Sequence, residues 1–154
     1  KLQLWTIGKT NDAYLKEGCA QYTKRLPHYL PFEYIEMPEP RNTKLSSDVL
    51  KKEEEKIILD RLQDSDQLIL LDEKGSEFTS VEFGQYIQKK MNSVSSNLIF
   101  LIGGPYGFSE AIYKRANGKV ALSKMTLSHQ MVRLFALEQL YRACTIIKGE
   151  KYHH

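Results

Sequence analysis

The stretch Asn97–Ser109, NLIFLIGGPYGFS, decides the fold. Leu98 to Ile102 form an unbroken apolar run, the composition of a strand covered on both faces. The run leads directly into Gly103, Gly104 and Gly107, and then into Ser109, a residue type that caps helices. Glycines let the backbone approach a small molecule closely, and Pro105 stiffens the turn. In an open α/β sheet, ligands bind in the crevice beyond the carboxyl ends of the strands. Leu122–His129 (LSKMTLSH) repeats the strand-to-helix passage one unit later, which predicts one pocket built from two loops.

Outward from this centre, strands and helices alternate. Leu2–Ile7 reads as a strand, and Asn11 or Asp12 caps a helix through Leu26. Pro27 and Pro31 punctuate the chain before a strand at Phe32–Met37, followed by a loop over Pro38–Leu45. Ser46 or Ser47 starts a helix to Leu62 whose apolar side carries Val49, Leu50, Ile57, Ile58 and Leu62. Gln67–Asp72 is a short buried strand, ended by a turn at Lys74-Gly75. Thr79 and Glu82 have capping-box spacing and open a helix to about Met91. Ser109 caps a short helix to about Ala116, Lys119–Ser123 is the last strand, and Ser128 opens a long helix to about Ile147. This order predicts an α/β fold, a mostly parallel sheet with helices on both faces, in one domain spanning 1–154.

A hydrophobic content of 42% is too high for a disordered chain, and no apolar run approaches the roughly 18 residues that span a bilayer. The opening residues lack a basic region followed by an apolar signal core, so a cytoplasmic protein is expected. Cys19 and Cys144 fall among apolar neighbours in helices and read as core residues of a reducing compartment. A net charge of +3 permits a nucleic-acid partner without demanding one. The histidines His28, His129, His153 and His154 show no metal-ligand spacing, so no metal is expected. Ile7-Gly8-Lys9-Thr10 is a turn and no phosphate loop, because Gln3 stands where that motif needs glycine. Nor does Gly103–Gly107 match the dinucleotide fingerprint.

The last helix is apolar all round, which predicts packing against the sheet on one face and another subunit on the other. His129, Arg133, Leu137, Leu140 and Cys144 share one stripe, so Arg133 needs either a carboxylate partner or an anionic ligand. Glu138 and Arg142 have the spacing of a helix ion pair. By composition, the tail around Lys148, Lys151, Tyr152 and His153 is either a frayed terminus or an RNA contact that offers cations and an aromatic face.

LIGGPYGFS at 101–109, LSKMTLSHQMVR at 122–133, LEQLYRA at 137–143 and the closing KYHH resemble a SPOUT-class methyltransferase family. Its members modify N3 of a pseudouridine in the 23S RNA of the large ribosomal subunit. The likeness spans the chain. It implies a homodimer with a trefoil knot in the C-terminal part, roughly 67–154, and S-adenosylmethionine held by the knot loops. Carried over by motif, the cofactor contacts are Leu71, Gly103, Gly104, Leu122, Ser123, Lys124, Met125, Thr126 and Leu127. Ser128 stands where the family usually has proline. The resemblance brings Tyr152 and His153 to the active site. His153 is the first candidate to assist loss of the N3 proton and His129 the second, with Arg133 and Arg142 binding phosphate or stabilising charge on the base. RNA contacts are expected from Lys124, Arg133, Arg142, Lys148 and Lys151, with an assembled ribosomal particle as substrate. The alternatives are a related methyltransferase acting on transfer RNA and a dimeric nucleotide-binding module without chemistry.

Overall fold

The computed structural model describes residues 1–41 and 46–154, so part of the expected 38–45 loop lies outside the described residues. The strands are β1 (Leu2–Ile7), β2 (Phe32–Met37), β3 (Gln67–Glu77), β4 (Leu98–Ile102) and β5 (Gly118–Ala121). The helices are α1 (Ala13–Arg25), α2 (Ser47–Arg61), α3 (Ser80–Ser93), α4 (Glu110–Arg115) and α5 (Met131–Ile147), with a short 3-10 turn at Leu26–His28. The strands form one parallel sheet in the order β2-β1-β4-β3-β5. No helix among the described residues is long and apolar enough to cross a membrane.

That order explains which helix covers which face. The passages β1 to β2 and β3 to β4 step toward the β2 edge, whereas β2 to β3 and β4 to β5 step toward the β5 edge. Right-handed crossovers place helices with the same stepping direction on the same face. On one face, Leu2, Leu4, Ile69, Leu98, Phe100 and Ile102 pack with Cys19 of α1, Phe83 and Ile87 of α3, and Leu137 and Leu140 of α5. On the other, Trp5, Ile7, Leu68, Leu70, Ile99 and Leu101 pack with Ile58 of α2 and Ile112 of α4. The unbroken apolar run of β4 is thus used on both sides, and each fully buried side chain of this kind contributes roughly 1.5–3 kcal/mol.

Four local expectations change. The Lys74-Gly75 turn does not end β3: Leu71 and Ser76 both register with Val120, so residues 72–75 bulge from the ladder and the strand resumes. Glycine is required there, because a Cβ on Gly75 would lie 2.6 Å from the Val120 backbone. The last strand ends at Ala121 and the long helix begins at Met131. Ser128 still caps the entry, its Oγ accepting from Met131 N at 3.1 Å. In α2, Leu50 and Ile58 of the expected apolar side are buried, but Val49 is exposed and Glu54 is buried. Finally, α5 lies between α1 and α3, so neighbours within the chain answer much of its all-round apolar surface. Leu134 reaches within 3.0 Å of where a Cβ on Gly18 would stand, which shows how closely α1 and α5 approach.

Candidate functional site

The carboxyl ends of β3, β4 and β5 and the first turn of α5 enclose a cleft of about 470 Å³. Leu71, Ile102, Leu122, Leu127 and Val132 form its apolar walls, and Asp72, Glu73, Lys74 and Tyr113 its polar rim. The cleft exists because buried strands deliver their last residues to one edge and then turn sharply. At the β4 exit, Gly107 has a φ of 80°, and its N–H donates to Gly104 O at 3.2 Å. A Cβ on Gly103 would meet the Phe108 ring at 2.9 Å, and one on Gly104 would strike the Glu54 carboxyl. The β5 exit is held more loosely, with Met125 N–H donating to Ser123 Oγ at 2.9 Å.

The site is polar at the rim and pressed from behind by a buried acid. Tyr113 O–H donates to Asp72 Oδ2, and Lys74 N–H donates to Asp72 Oδ1 at 2.9 Å, which fixes that carboxylate at the mouth. Burial, together with the Asp72 bond, pushes the Tyr113 phenol up to about 12. His129 lines the cleft, and burial, aided by the nearby Arg133 charge, lowers its pKa and favours the neutral imidazole. Glu54 lies behind Gly104, its carboxyl raised to about 7 by burial first and by Glu39 second. Among the described residues no group of three or more His, Cys, Asp or Glu side chains is placed to hold a metal ion.

Leu71, Gly103, Gly104, Leu122, Ser123, Met125, Thr126, Leu127 and His129 all line this one cleft. Lys124 does not: its side chain is largely exposed and its Nζ lies 3.7 Å from Glu77 Oε1. Asp72, Glu73, Lys74 and Tyr113 were not singled out by sequence reasoning. Three of them sit in the β3 bulge that a turn signal disguised.

Arg133 is a correction. It is 0% exposed, so it cannot touch RNA. Its Nη1 donates to Gly8 O at 2.9 Å, Thr10 Oγ1 at 3.1 Å and Glu36 Oε2 at 3.3 Å. Its Nη2 donates to Ile7 O at 2.9 Å and its Nε to His129 O at 3.1 Å. The carboxylate reading of this arginine is the right one.

Tyr152 and His153 do not line the cleft: the tail folds back along the carboxyl-terminal half of α5, Tyr152 O–H donating to Glu138 Oε1 at 3.1 Å. Glu138 and Arg142, which the tail touches, lie seven and eleven positions beyond Met131, about 10–16 Å along the helix axis. Arg142 is there too, 2.6 Å from Glu138 Oε1 and 4.8 Å from the Tyr152 ring centroid. Its Nη1 lies 3.1 Å from His153 Nδ1. A guanidinium only donates, so Nδ1 is the acceptor and the His153 proton sits on Nε2. Lys148 and Lys151 are exposed at the same end.

Against known proteins, residues 1–153 match the family model described as Predicted SPOUT methyltransferase. The Ribosomal RNA large subunit methyltransferase H of Cytophaga hutchinsonii is 92% identical over 154 residues, covering 100% of this chain and 99% of that one. The protein of the same name from Parabacteroides distasonis is 53% identical over 155 residues, again covering 100% and 99%. A putative methyltransferase from Legionella pneumophila, solved with SAM, gives a TM-score of 0.49 at 13% identity, covering 93% of this chain and 66% of that one. A glycine-turned cleft at three strand ends, and a match from the first residue to the penultimate one, lead to the same conclusion: the chain belongs to the SPOUT methyltransferase family.

Proposed function

We propose that the protein methylates N3 of a pseudouridine in 23S ribosomal RNA, as a homodimer acting in the cytoplasm on the assembled large subunit or whole ribosome. The observation that carries this reading is the convergence of three separate segments, around Leu71, Gly103-Gly104 and Leu122–Leu127, on one cleft. In this reading the C-terminal part, roughly 67–154, is the knotted half, and the relatives named for ribosomal RNA supply the substrate class.

The cleft suits S-adenosylmethionine. Its apolar walls match an adenine and a thioether chain, the glycines admit close backbone approach, and Asp72 and Glu73 place negative charge near a cationic ligand. When bound, the sulfonium supplies an activated methyl group. The protein must then align the accepting nitrogen and exclude water, which lowers the barrier by up to roughly 7–11 kcal/mol.

His153 and Arg142 serve the accepting base. With Nδ1 held by Arg142, His153 presents Nε2–H as a donor to a carbonyl oxygen flanking N3. That oxygen gathers negative charge as N3 loses its proton, and a preorganised donor stabilises it. The neutral imidazole of His129 is the base that lines the donor cleft, whereas His153 accepts a proton only after releasing Arg142. Neither Tyr152 nor His153 lines the cleft of its own chain, and in this reading each tail serves the cleft of the other copy.

Substitution His153→Ala tests the assignment with large subunits from cells lacking the protein. Single-turnover methyl transfer is expected to fall while S-adenosylhomocysteine affinity stays near wild type. Mass spectrometry of the product RNA locates the methyl group. Unchanged rates remove His153 from the mechanism, and a methyl group outside 23S RNA overturns the substrate.

A further inference from the structure

Beside the tail, Arg25, His28, Tyr29, Tyr141, Lys148 and Glu150 enclose a second cleft of about 370 Å³, within the roughly 300–1,000 Å³ typical of ligand sites. It opens between the end of α1 and the end of α5, outside the methyl-donor cleft. Tyr141 is its hub. The Tyr22, Tyr29 and Tyr152 ring centroids lie 5.6, 5.7 and 4.8 Å from that of Tyr141, with Tyr29 and Tyr152 edge-on. The Arg25 guanidinium stands 5.7 Å from the Tyr141 ring centroid and 5.9 Å from that of Tyr22. Arg25, His28 and Lys148 are exposed at the rim. Glu150 is the lining carboxylate, and it is engaged, accepting from Tyr29 O–H at 2.7 Å. That bond holds the Tyr29 ring at the mouth.

Aromatic faces interleaved with exposed cations are the chemistry of single-stranded nucleic-acid binding, in which bases stack and phosphates pair with Arg and Lys. We propose that this cleft binds the RNA strand next to the modified nucleotide, a flanking base against Tyr29 and Tyr141 and phosphates on Arg25 and Lys148. The inference rests on the function proposed above. If Tyr152 and His153 meet the reacting base, the cleft that shares the Tyr141–Tyr152 contact meets its neighbour along the strand. It adds what the tail alone does not supply, a grip on RNA built from residues outside the methyl-donor cleft.

The test measures binding to large ribosomal subunits from cells lacking the protein, across a salt series. Each variant is also checked for S-adenosylhomocysteine affinity and solution mass. The double variant Arg25→Ala, Lys148→Ala is expected to bind about tenfold more weakly. The slope of log K against log salt should become shallower by about 1.4–1.8, the loss of two phosphate contacts. Tyr29→Leu is expected to weaken binding about fivefold with the slope unchanged, and Tyr29→Phe, which keeps the ring but loses the Glu150 bond, to weaken it less. Cofactor affinity and mass should match wild type throughout. Binding within about twofold of wild type with an unaltered slope overturns the proposal, and so does a change in solution mass, which would assign the cleft to a protein interface. If wild-type protein binds S-adenosylhomocysteine but not the subunits, the proposed substrate fails and this site falls with it.

Discussion

Arg133→Met tests whether the buried arginine is a structural clasp or a ligand-binding group. The guanidinium joins the end of β1 through the Ile7 and Gly8 carbonyls, β2 through Glu36, and the entry to α5 through the His129 carbonyl. Methionine fills much of the volume but donates nothing. It strands the carbonyls of Ile7 and Gly8, whose bonds to the arginine are buried, at about 1–3 kcal/mol each. Glu36 is less affected, since its side chain is 32% exposed and still accepts from Thr10 N at 2.5 Å and Thr10 Oγ1 at 2.8 Å. Together these give a loss of about 3–5 kcal/mol, the usual cost of breaking a buried pair. For a domain of this length that corresponds to a fall in Tm of about 6–20 °C. Lysine is no substitute, because one ammonium with three donors cannot serve acceptors spread over three elements. Urea unfolding followed by both circular dichroism and tryptophan fluorescence reads the loss directly. A stability change below about 1 kcal/mol, or wild-type stability with a shallower salt slope for ribosomal subunits, would refute the clasp.

The acid behind the glycine turn and the turn itself give two further predictions. Glu54 has a folded pKa of about 7 against an ordinary value of 4.5, so the native state holds its proton more tightly than the unfolded chain. The stability it contributes is full below about pH 4.5 and is lost as pH rises through 7. Glu54→Gln is therefore expected to exceed wild type in urea resistance at pH 8 while losing that advantage at pH 5, and a constant difference at both would disprove burial of an ionisable acid. Gly104→Ala sets a methyl group against the Glu54 carboxyl and is expected to weaken S-adenosylhomocysteine binding about tenfold by calorimetry, with a folding cost of about 1–3 kcal/mol. Wild-type affinity would mean that the β4 exit is not part of the donor site.

What could be read from the sequence follows from which interactions are local. The β4 run announced a strand covered on both faces because five apolar residues in succession leave no face for water, and the fold uses both. The Thr79–Glu82 box announced the start of α3 because both of its hydrogen bonds form within four residues. The β3 bulge was not legible. Lys74-Gly75 carries the composition of a turn, and only the Val120 backbone packed against it shows that the glycine serves close approach within a sheet. As a result the rim residues Asp72, Glu73 and Lys74 escaped notice. Arg133 was ambiguous for a similar reason: its stripe on α5 was clear, but four of its five acceptors lie more than ninety residues earlier in the chain.

The placement of the tail marks a different kind of limit. Periodicity tells which way a side chain points around a helix axis, and it placed the Glu138–Arg142 pair correctly. It does not say what lies beyond the helix end. The 17-residue α5 is braced by α1 and α3, so it acts as a rod with the donor cleft at its amino end and Arg142, Tyr152 and His153 along its carboxyl-terminal half. Arg142, which holds His153, stands eleven positions beyond Met131, about 16 Å along that rod, which is farther than one imidazole side chain reaches. If both ends take part in one methyl transfer, the cleft and the tail must come from different copies. Complementation is the direct test, since mixing a cleft-defective Gly104→Ala chain with a tail-defective His153→Ala chain should restore activity at one site of each mixed dimer. Two variants that are inactive alone and remain inactive together would break the link between the helix geometry and the chemistry.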